Sequence, residues 1–271
     1  NDHAAIRSAD PQVCALFVRA ARVLGLRRER DYAFPAKKLK SFDLQRIGDD
    51  ATAFKIFVSE VDLATFPADV AECILSDCAT QAAAVDHRDF IRHIERFEAR
   101  GVLDQADADA FIEHFVERLM SRNGPPLARA TLAAVSGVSG EAASALALGP
   151  DFNHVTIGVR AAGFADIETM ADAMRAAGFR LLPAIQGAPG TALRQTATMA
   201  ATMDTPVLEA DGRIGNAQTE RQFVEIIERA QARDDDGALL WTADGEPLIF
   251  RNFLATNAEK IFDAASTRGS M

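Results

Sequence analysis

The 271-residue chain has one tryptophan, one tyrosine and three cysteines, and no apolar run of the length needed to cross a bilayer. A membrane helix needs about 18 consecutive apolar residues, so a spanning segment is excluded. Cys14, Cys73 and Cys78 are an odd number without close metal-ligand spacing, which argues against a disulfide scaffold or a zinc knuckle. Cys73 and Cys78 read as small core residues of a helical stretch, in keeping with a reducing cytoplasm. Positive charge is also short. Lys and Arg number 29 against 39 Asp and Glu, a formal net charge of −10, which speaks against a nucleic-acid backbone as partner. No signal-peptide pattern opens the chain, and from Asn1 the native start is expected to lie upstream.

What is present is an ordinary globular composition, 48% hydrophobic and 25% charged, in a length that suits one large domain or two of usual size. Residues 152–160 alternate as a strand. "ADIETMADAMRAAG" (165–178) then places Ile167, Met170, Ala171 and Met174 at helical spacing, with Gly178 where a left-handed C-cap belongs. "FRLLPAI" (179–185), "ALRQTATMA" (192–200), "TPVLEA" (205–210) and "RQFVEIIERA" (221–230) read as extended, punctuated by "QGAPG" and "ADGRIGN".

The amino-terminal part follows the same order. "HAAIR" is a strand, Asp10 and Pro11 start a helix, and "DYAFP", "LKSFDLQ" and "FKIFVSEVDL" (54–63) are extended. Between the two parts, residues 67 to about 148 carry helical patterns, with Asp86 and Asp104 as N-caps and Gly101 and "NGPP" (123–126) as stops. The expected architecture is α+β, with two diverged βαβββ modules forming one curved mixed sheet and a helical insertion between them. The expected divisions are a first module at 1–66, the insertion at 67–150, and a second module with a closing segment at 151–271, all within one structural domain.

Two histidines open the first strands of the two modules, His3 and His154. Glu225 sits among apolar residues of the last strand, on the face of Phe223 and Ile227, because side chains alternate with a period of two. A buried carboxylate needs a cation, and two imidazoles with one carboxylate form the facial triad suited to non-haem Fe(II). A strand histidine can equally be a hydrogen-bonded structural residue, and Glu225 can pair with Arg221 or Arg229 at an edge. His87, His93 and His114 fall on helical surfaces of the insertion and read as solvated or capping residues.

In order along the chain, "HAAIR", "FVSEV", "FNHVTIGV", "LRQTAT", "FVEIIER" and "FLATNAEKIFD" resemble landmarks of the 2-oxoadipate dioxygenase/decarboxylase family, within the vicinal-oxygen-chelate superfamily that also holds the glyoxalases. The resemblance implies a single Fe(II) held by His3, in a segment like "HGAIR" with Ala4 in place of Gly, by His154, and by Glu225 four residues ahead of Arg229. Glu228 is a rival to Glu225 but falls on the opposite strand face. The resemblance also implies that Arg7, four residues after the first histidine, binds a substrate carboxylate. Arg194, Gln195 and Arg251 are further candidates for substrate contact. Glu60 holds in the first module the place of Glu225 in the second, and is expected to orient a metal histidine from behind.

The activity implied is oxidative decarboxylation of a 2-oxo diacid, 2-oxoadipate to 2-hydroxyglutarate and CO2 as in lysine breakdown, with O2 as co-substrate. Two other readings stay open on the residues alone. One is a metal-dependent glyoxalase-like lyase or isomerase, and the other a non-catalytic small-molecule-binding protein of the same fold.

Overall fold

A computed structural model describes residues 2–47, 54–254 and 261. The first module runs β1 (His3–Ser8), α1 (Pro11–Val23), β2 (Leu26–Phe34), β3 (Leu39–Arg46) and β4 (Lys55–Val61). Helix α1 begins where the caps require: Asp10 accepts from the backbone N–H of Gln12, and Pro11 occupies the first turn, where its missing donor costs nothing. Five helices follow: α2 (Ala68–Ala83), α3 (Arg88–Arg100), α4 (Gln105–His114), α5 (Arg129–Ser136) and α6 (Gly140–Leu148), with the two-residue strand β5 (Leu127–Ala128) before α5. The second module comprises β6 (Phe152–Gly158), α7 (Ile167–Ala176), β7 (Leu193–Ala197), β8 (Thr202–Leu208), β9 (Ile214–Glu220) and β10 (Phe223–Arg229).

Seven strands form one mixed sheet in the order β2-β3-β4-β1-β6-β10-β7. In each module the first strand pairs in parallel with the last, β1 with β4 and β6 with β10, and β1 and β6 meet antiparallel at the centre. That junction places the opening strands of both modules side by side.

Alternation along β1 divides the sheet into two faces. Ala5 packs on the front with Phe57, Val61 and helices α2, α5 and α6, while Ile6 packs on the back with Val58 and helices α1, α3 and α4. Phe17 of α1 is 2% exposed, and its burial contributes about 1.5–3 kcal/mol. Helix α7 covers the back of the second module through Ile167, Met170 and Ile226.

Two features depart from the sequence reading. Residues 179–185 form no strand; only the isolated bridges Leu181 to Thr198 and Gln186 to Gln195 mark the place of an edge strand. Pro183, Gly187 and Pro189 explain this, since each removes a donor or stiffness that a ladder needs. The stretch at 205–210 belongs to a second sheet, β5-β8-β9, in which β8 forms a hairpin with the unforeseen strand β9. Gly212, at φ +80, supplies the left-handed residue of that turn. The closing segment expected beyond residue 254 lies, apart from Ile261, outside the described residues. Among the described residues no helix is long and apolar enough to cross a membrane.

Candidate metal centre

The central junction brings three groups from distant parts of the chain onto the front face. His3 is opposite Thr156, Ala5 is opposite His154, and Thr156 is opposite Glu225. His3, His154 and Glu225 are all buried, and each offers a ligand atom within 4.8 Å of the other two; among the described residues they are the one such group of three.

Both imidazoles are held by the residue preceding them. His3 Nδ1 lies 2.8 Å from Asp2 Oδ1, and His154 Nδ1 lies 3.0 Å from Asn153 Oδ1. An ionised carboxylate and an amide oxygen only accept, so each ring carries a proton on Nδ1 and turns its Nε2 inward, the atom that would bind a metal. The Asn153 assignment is constrained, because the same oxygen accepts from Arg7 Nη2 at 3.3 Å, which an amide nitrogen could not do. A β-bulge supplies this contact. The register slips between Ala5 and Ile6, so that Asn153 is the extra residue on β6 and its side chain is re-aimed toward its neighbours.

The two Nε2 atoms face one oxygen, Glu225 Oε2, at 3.5 Å from His3 and 3.6 Å from His154. Donors bound about 2.1 Å from one ion stand about 3.0–3.4 Å apart, so small side-chain shifts bring the set into range. Thr156 Oγ1 donates to Glu225 Oε2 at 2.7 Å and lies 3.1 Å from His3 Nε2, fixing the carboxylate between the rings. The electrostatics suit a cation. Burial pushes the Glu225 carboxyl above its ordinary range, and burial, followed by the charges of His3 and Arg7, pushes His154 well below 6.5. The centre therefore holds a carboxylate short of positive charge beside a neutral imidazole, which fits a divalent ion.

Behind the rings, the Asp2 carboxylate accepts from one edge of the Arg229 guanidinium, from Nε at 2.6 Å and Nη2 at 2.8 Å. Burial works to raise the Asp2 carboxyl, but hydrogen bonds from His3 and Arg229 outweigh it and hold the group far below the usual carboxylate range. Two aromatic rings close on the imidazoles. Phe223 stacks on His154 at 4.6 Å between centroids, and Phe253 meets His3 edge-on at 4.7 Å. Beside His154 a cleft of about 540 Å³ opens to solvent, lined by Phe152, Phe179, Arg180, Met199 and Phe223.

The remaining sequence candidates divide. Arg7 lies on the front face, buried, with its guanidinium on Glu141 of α6 and on Asn153. Gln195 is opposite Ile227 on the front face and is buried there. The Arg251 carbonyl accepts from Lys55 Nζ at 3.0 Å. Arg194 does not join them. It is opposite Glu228 on the back face and is bound to Glu228 and to Glu168 of α7. Glu60 is likewise on the back face with Ile56 and Val58, opposite Ser8, and has no place behind a metal histidine. Under the internal register the first-module counterpart of Glu225 is Phe57, two residues along from the partner of the opening histidine. The histidines of the insertion also differ from expectation. His87 Nδ1 and His114 Nε2 bond to each other at 2.8 Å, half-buried against Phe90, and His93 lies 3.2 Å from Asp107.

Asp2, Asn153, Thr156 and Phe253 were not singled out in the sequence. For Asp2 and Asn153 a signal exists: each directly precedes a strand-opening histidine with a side-chain oxygen.

Among curated protein sequences no relative matches the chain. Solved structures share the fold. A protein from Ralstonia eutropha JMP134 assigned to the glyoxalase superfamily superposes with TM-score 0.71 at 21% identity, over 87% of this chain and 72% of that one. Hydroxyglutarate synthase from Oryza sativa, in complex with 2-oxoadipate, does so with TM-score 0.67 at 20% identity, over 98% and 81%. The Pseudomonas putida hydroxyglutarate synthase, also with 2-oxoadipate, gives 0.69 at 22% identity, over 86% of this chain and 52% of that longer one. The family model of the 2-oxoadipate dioxygenase/decarboxylases matches residues 1–246, nearly the whole chain, and the chain belongs to that family.

Proposed function

We propose that His3, His154 and Glu225 hold one Fe(II), and that the chain converts 2-oxoadipate and O2 to 2-hydroxyglutarate and CO2. The observation that carries the reading is the convergence of three buried donors, drawn from both ends of the sequence, in a member of this family. The family's substrate and the 2-oxoadipate bound in the rice and Pseudomonas relatives support the choice of diacid.

When bound, the iron supplies Lewis acidity toward a 2-oxo acid and a redox centre for dioxygen. The protein's own residues do the rest. Two imidazoles bound through Nε2 and one carboxylate would leave part of the coordination sphere open, and Glu225 would offset one of the two ionic charges. Asp2 and Asn153 keep both Nε2 atoms aimed inward. Arg7 stands two residues beyond Ala5 on the same face and binds a substrate carboxylate, exchanging part of its contact with Glu141 for it. Gln195, buried on the same face, is the candidate for the far end of the diacid, with Arg251, whose carbonyl is held by Lys55, as a second. Phe223 and Phe253 exclude water from around the donors. The overall change balances without another reductant, because the substrate supplies all four electrons that reduce O2, two in the oxidative loss of CO2 and two in the hydroxylation of the shortened acid. The three free cysteines fit a reducing compartment, the cytoplasm.

The test is anaerobic loading with Fe(II) followed by oxygen uptake with 2-oxoadipate. Equal amounts of O2 consumed and CO2 released, with 2-hydroxyglutarate formed, are expected. His154→Ala and Glu225→Ala should each abolish uptake, and uptake unchanged in either variant would remove the ligand assignment. Turnover of a 2-oxoaldehyde adduct without oxygen would indicate glyoxalase-like chemistry instead.

A further inference from the structure

Three successive carbonyls of the chain's late segment are clamped by two buried cations. Arg229 Nη1 donates to Phe250 O at 3.2 Å and to Asn252 O at 2.9 Å, and Lys55 Nζ donates to Arg251 O between them at 3.0 Å. The clamp sets the next side chain, Phe253, against His3 at 4.7 Å and Phe57 at 4.9 Å, with the Arg229 guanidinium 5.5 Å from its ring centre. The other edge of the same guanidinium grips Asp2 through Nε and Nη2, and Asp2 in turn holds His3 Nδ1.

We propose that Arg229 is a positioning residue: through Asp2 it fixes the ring of His3, and with its remaining edge it ties that fixation to the seating of residues 250–253 over the site. The inference rests on the reading of His3 as a metal ligand.

The chemistry demands arginine. Four N–H groups of one planar fork are used in two directions, two on a carboxylate and two on main-chain carbonyls, which a lysine's single nitrogen cannot reproduce. The Asp2 backbone is tied to Thr156 and Lys55, at 2.8 and 3.4 Å, but those bonds leave the rotation of its carboxylate to be fixed by another group. The bidentate pair removes that freedom. Arg229 also lies four residues after Glu225 on the front face of the same strand, so β10 delivers one ligand and the support of another.

Lys55 separates this role from simple clamping, because its ammonium shares the carbonyl ladder without bonding the Asp2 carboxylate, and its backbone N–H, which donates to Asp2 O at 3.4 Å, is kept in any side-chain variant. The experiment compares Co(II) affinity and the visible Co(II) spectrum of wild type, Arg229→Met and Lys55→Met, with hydrogen exchange of the amides at 250–254 followed in parallel. Exchange should quicken in both variants. Affinity should fall about 10- to 100-fold with an altered spectrum in Arg229→Met, and stay within about threefold in Lys55→Met. Wild-type affinity and spectrum in Arg229→Met would overturn the proposal, as would an equal loss in Lys55→Met. Should Arg229→Met fail to fold, Asp2→Ala carries the same expectation and the same refutation. Stoichiometric Co(II) binding by wild type, lost in Glu225→Ala, keeps this test distinct from failure of the metal reading itself.

Discussion

Arg7 and His154 share one acceptor, Asn153 Oδ1, at 3.3 and 3.0 Å. A group proposed to bind substrate and a group proposed to bind metal are thus held by a single amide oxygen, delivered by a one-residue bulge. Asn153→Ala should loosen both. Metal affinity is expected to fall about tenfold or more, and the KM for 2-oxoadipate to rise with it. Asn153→Asp keeps the acceptor and should recover most of the metal affinity. Co(II) titration and steady-state kinetics on both variants check this, and an alanine variant with both constants unchanged would show the shared contact to be incidental.

Glu225 is costly to the protein without a cation beside it. Its carboxyl is buried and shifted upward, so near neutral pH the metal-free fold carries either a charge short of compensation or a proton taken up against the solution pH. Glu225→Gln imitates the protonated form in shape and keeps an acceptor for Thr156. Thermal unfolding in the presence of a chelator should therefore show the glutamine variant more stable than wild type by about 1–2 kcal/mol, while its metal affinity is lost. A less stable variant would mean that Glu225 has a structural partner outweighing its burial.

The modular plan was legible because its signals are local. Asp10 and Pro11 start a helix by their own chemistry, and Phe223, Glu225 and Ile227 share a face by the period of a strand. The pair His3 and His154 was legible through the repeat of module order. What failed depended on facing and neighbours. Arg194 and Gln195 are adjacent, so a strand turns them to opposite faces, and only the cross-strand register with Glu228 and Ile227 shows which is which. Glu60 matched Glu225 by position in a string, yet parity places it on the back. Strand β9, "IGNAQTE", is too polar to stand out and is defined by its hairpin with β8. The seating of Phe253 on His3 depends on contacts between residues 250 apart, which no window of sequence reveals.

The position of Arg194 gives a sharp control. It holds Glu168 and Glu228 on the back face, away from the metal donors. Arg194→Met should leave kcat and KM for 2-oxoadipate within about twofold of wild type. It should lower stability by about 1–2 kcal/mol, a figure reduced because Glu168 is half exposed and its pairing is screened by solvent. Urea unfolding and oxygen uptake on the same preparation check both halves. A large rise in KM at unchanged stability would return Arg194 to the substrate site.

Lys55 carries the clearest pH signature. Burial, and then the charges of Arg229 and Arg251, bring its ammonium down from 10.5 to about 8. The unfolded chain holds this proton up to the ordinary value, whereas the folded chain releases it near 8. Between those two points the unfolded state binds more protons, so stability gains a rising component as pH increases through that window. Below pH 8 both states are protonated and the burial of the charge is a standing cost. Wild type should therefore gain about 1–3 kcal/mol relative to Lys55→Met between pH 8 and 10.5. The neutral amine still donates to Arg251 O, so residues 250–253 stay seated through the titration and the gain is electrostatic. Urea midpoints of wild type and Lys55→Met at intervals across that range measure it directly. Parallel pH profiles for the two proteins would show that Lys55 keeps its proton in the fold and that Asp2 and Asp43 outweigh the neighbouring arginines.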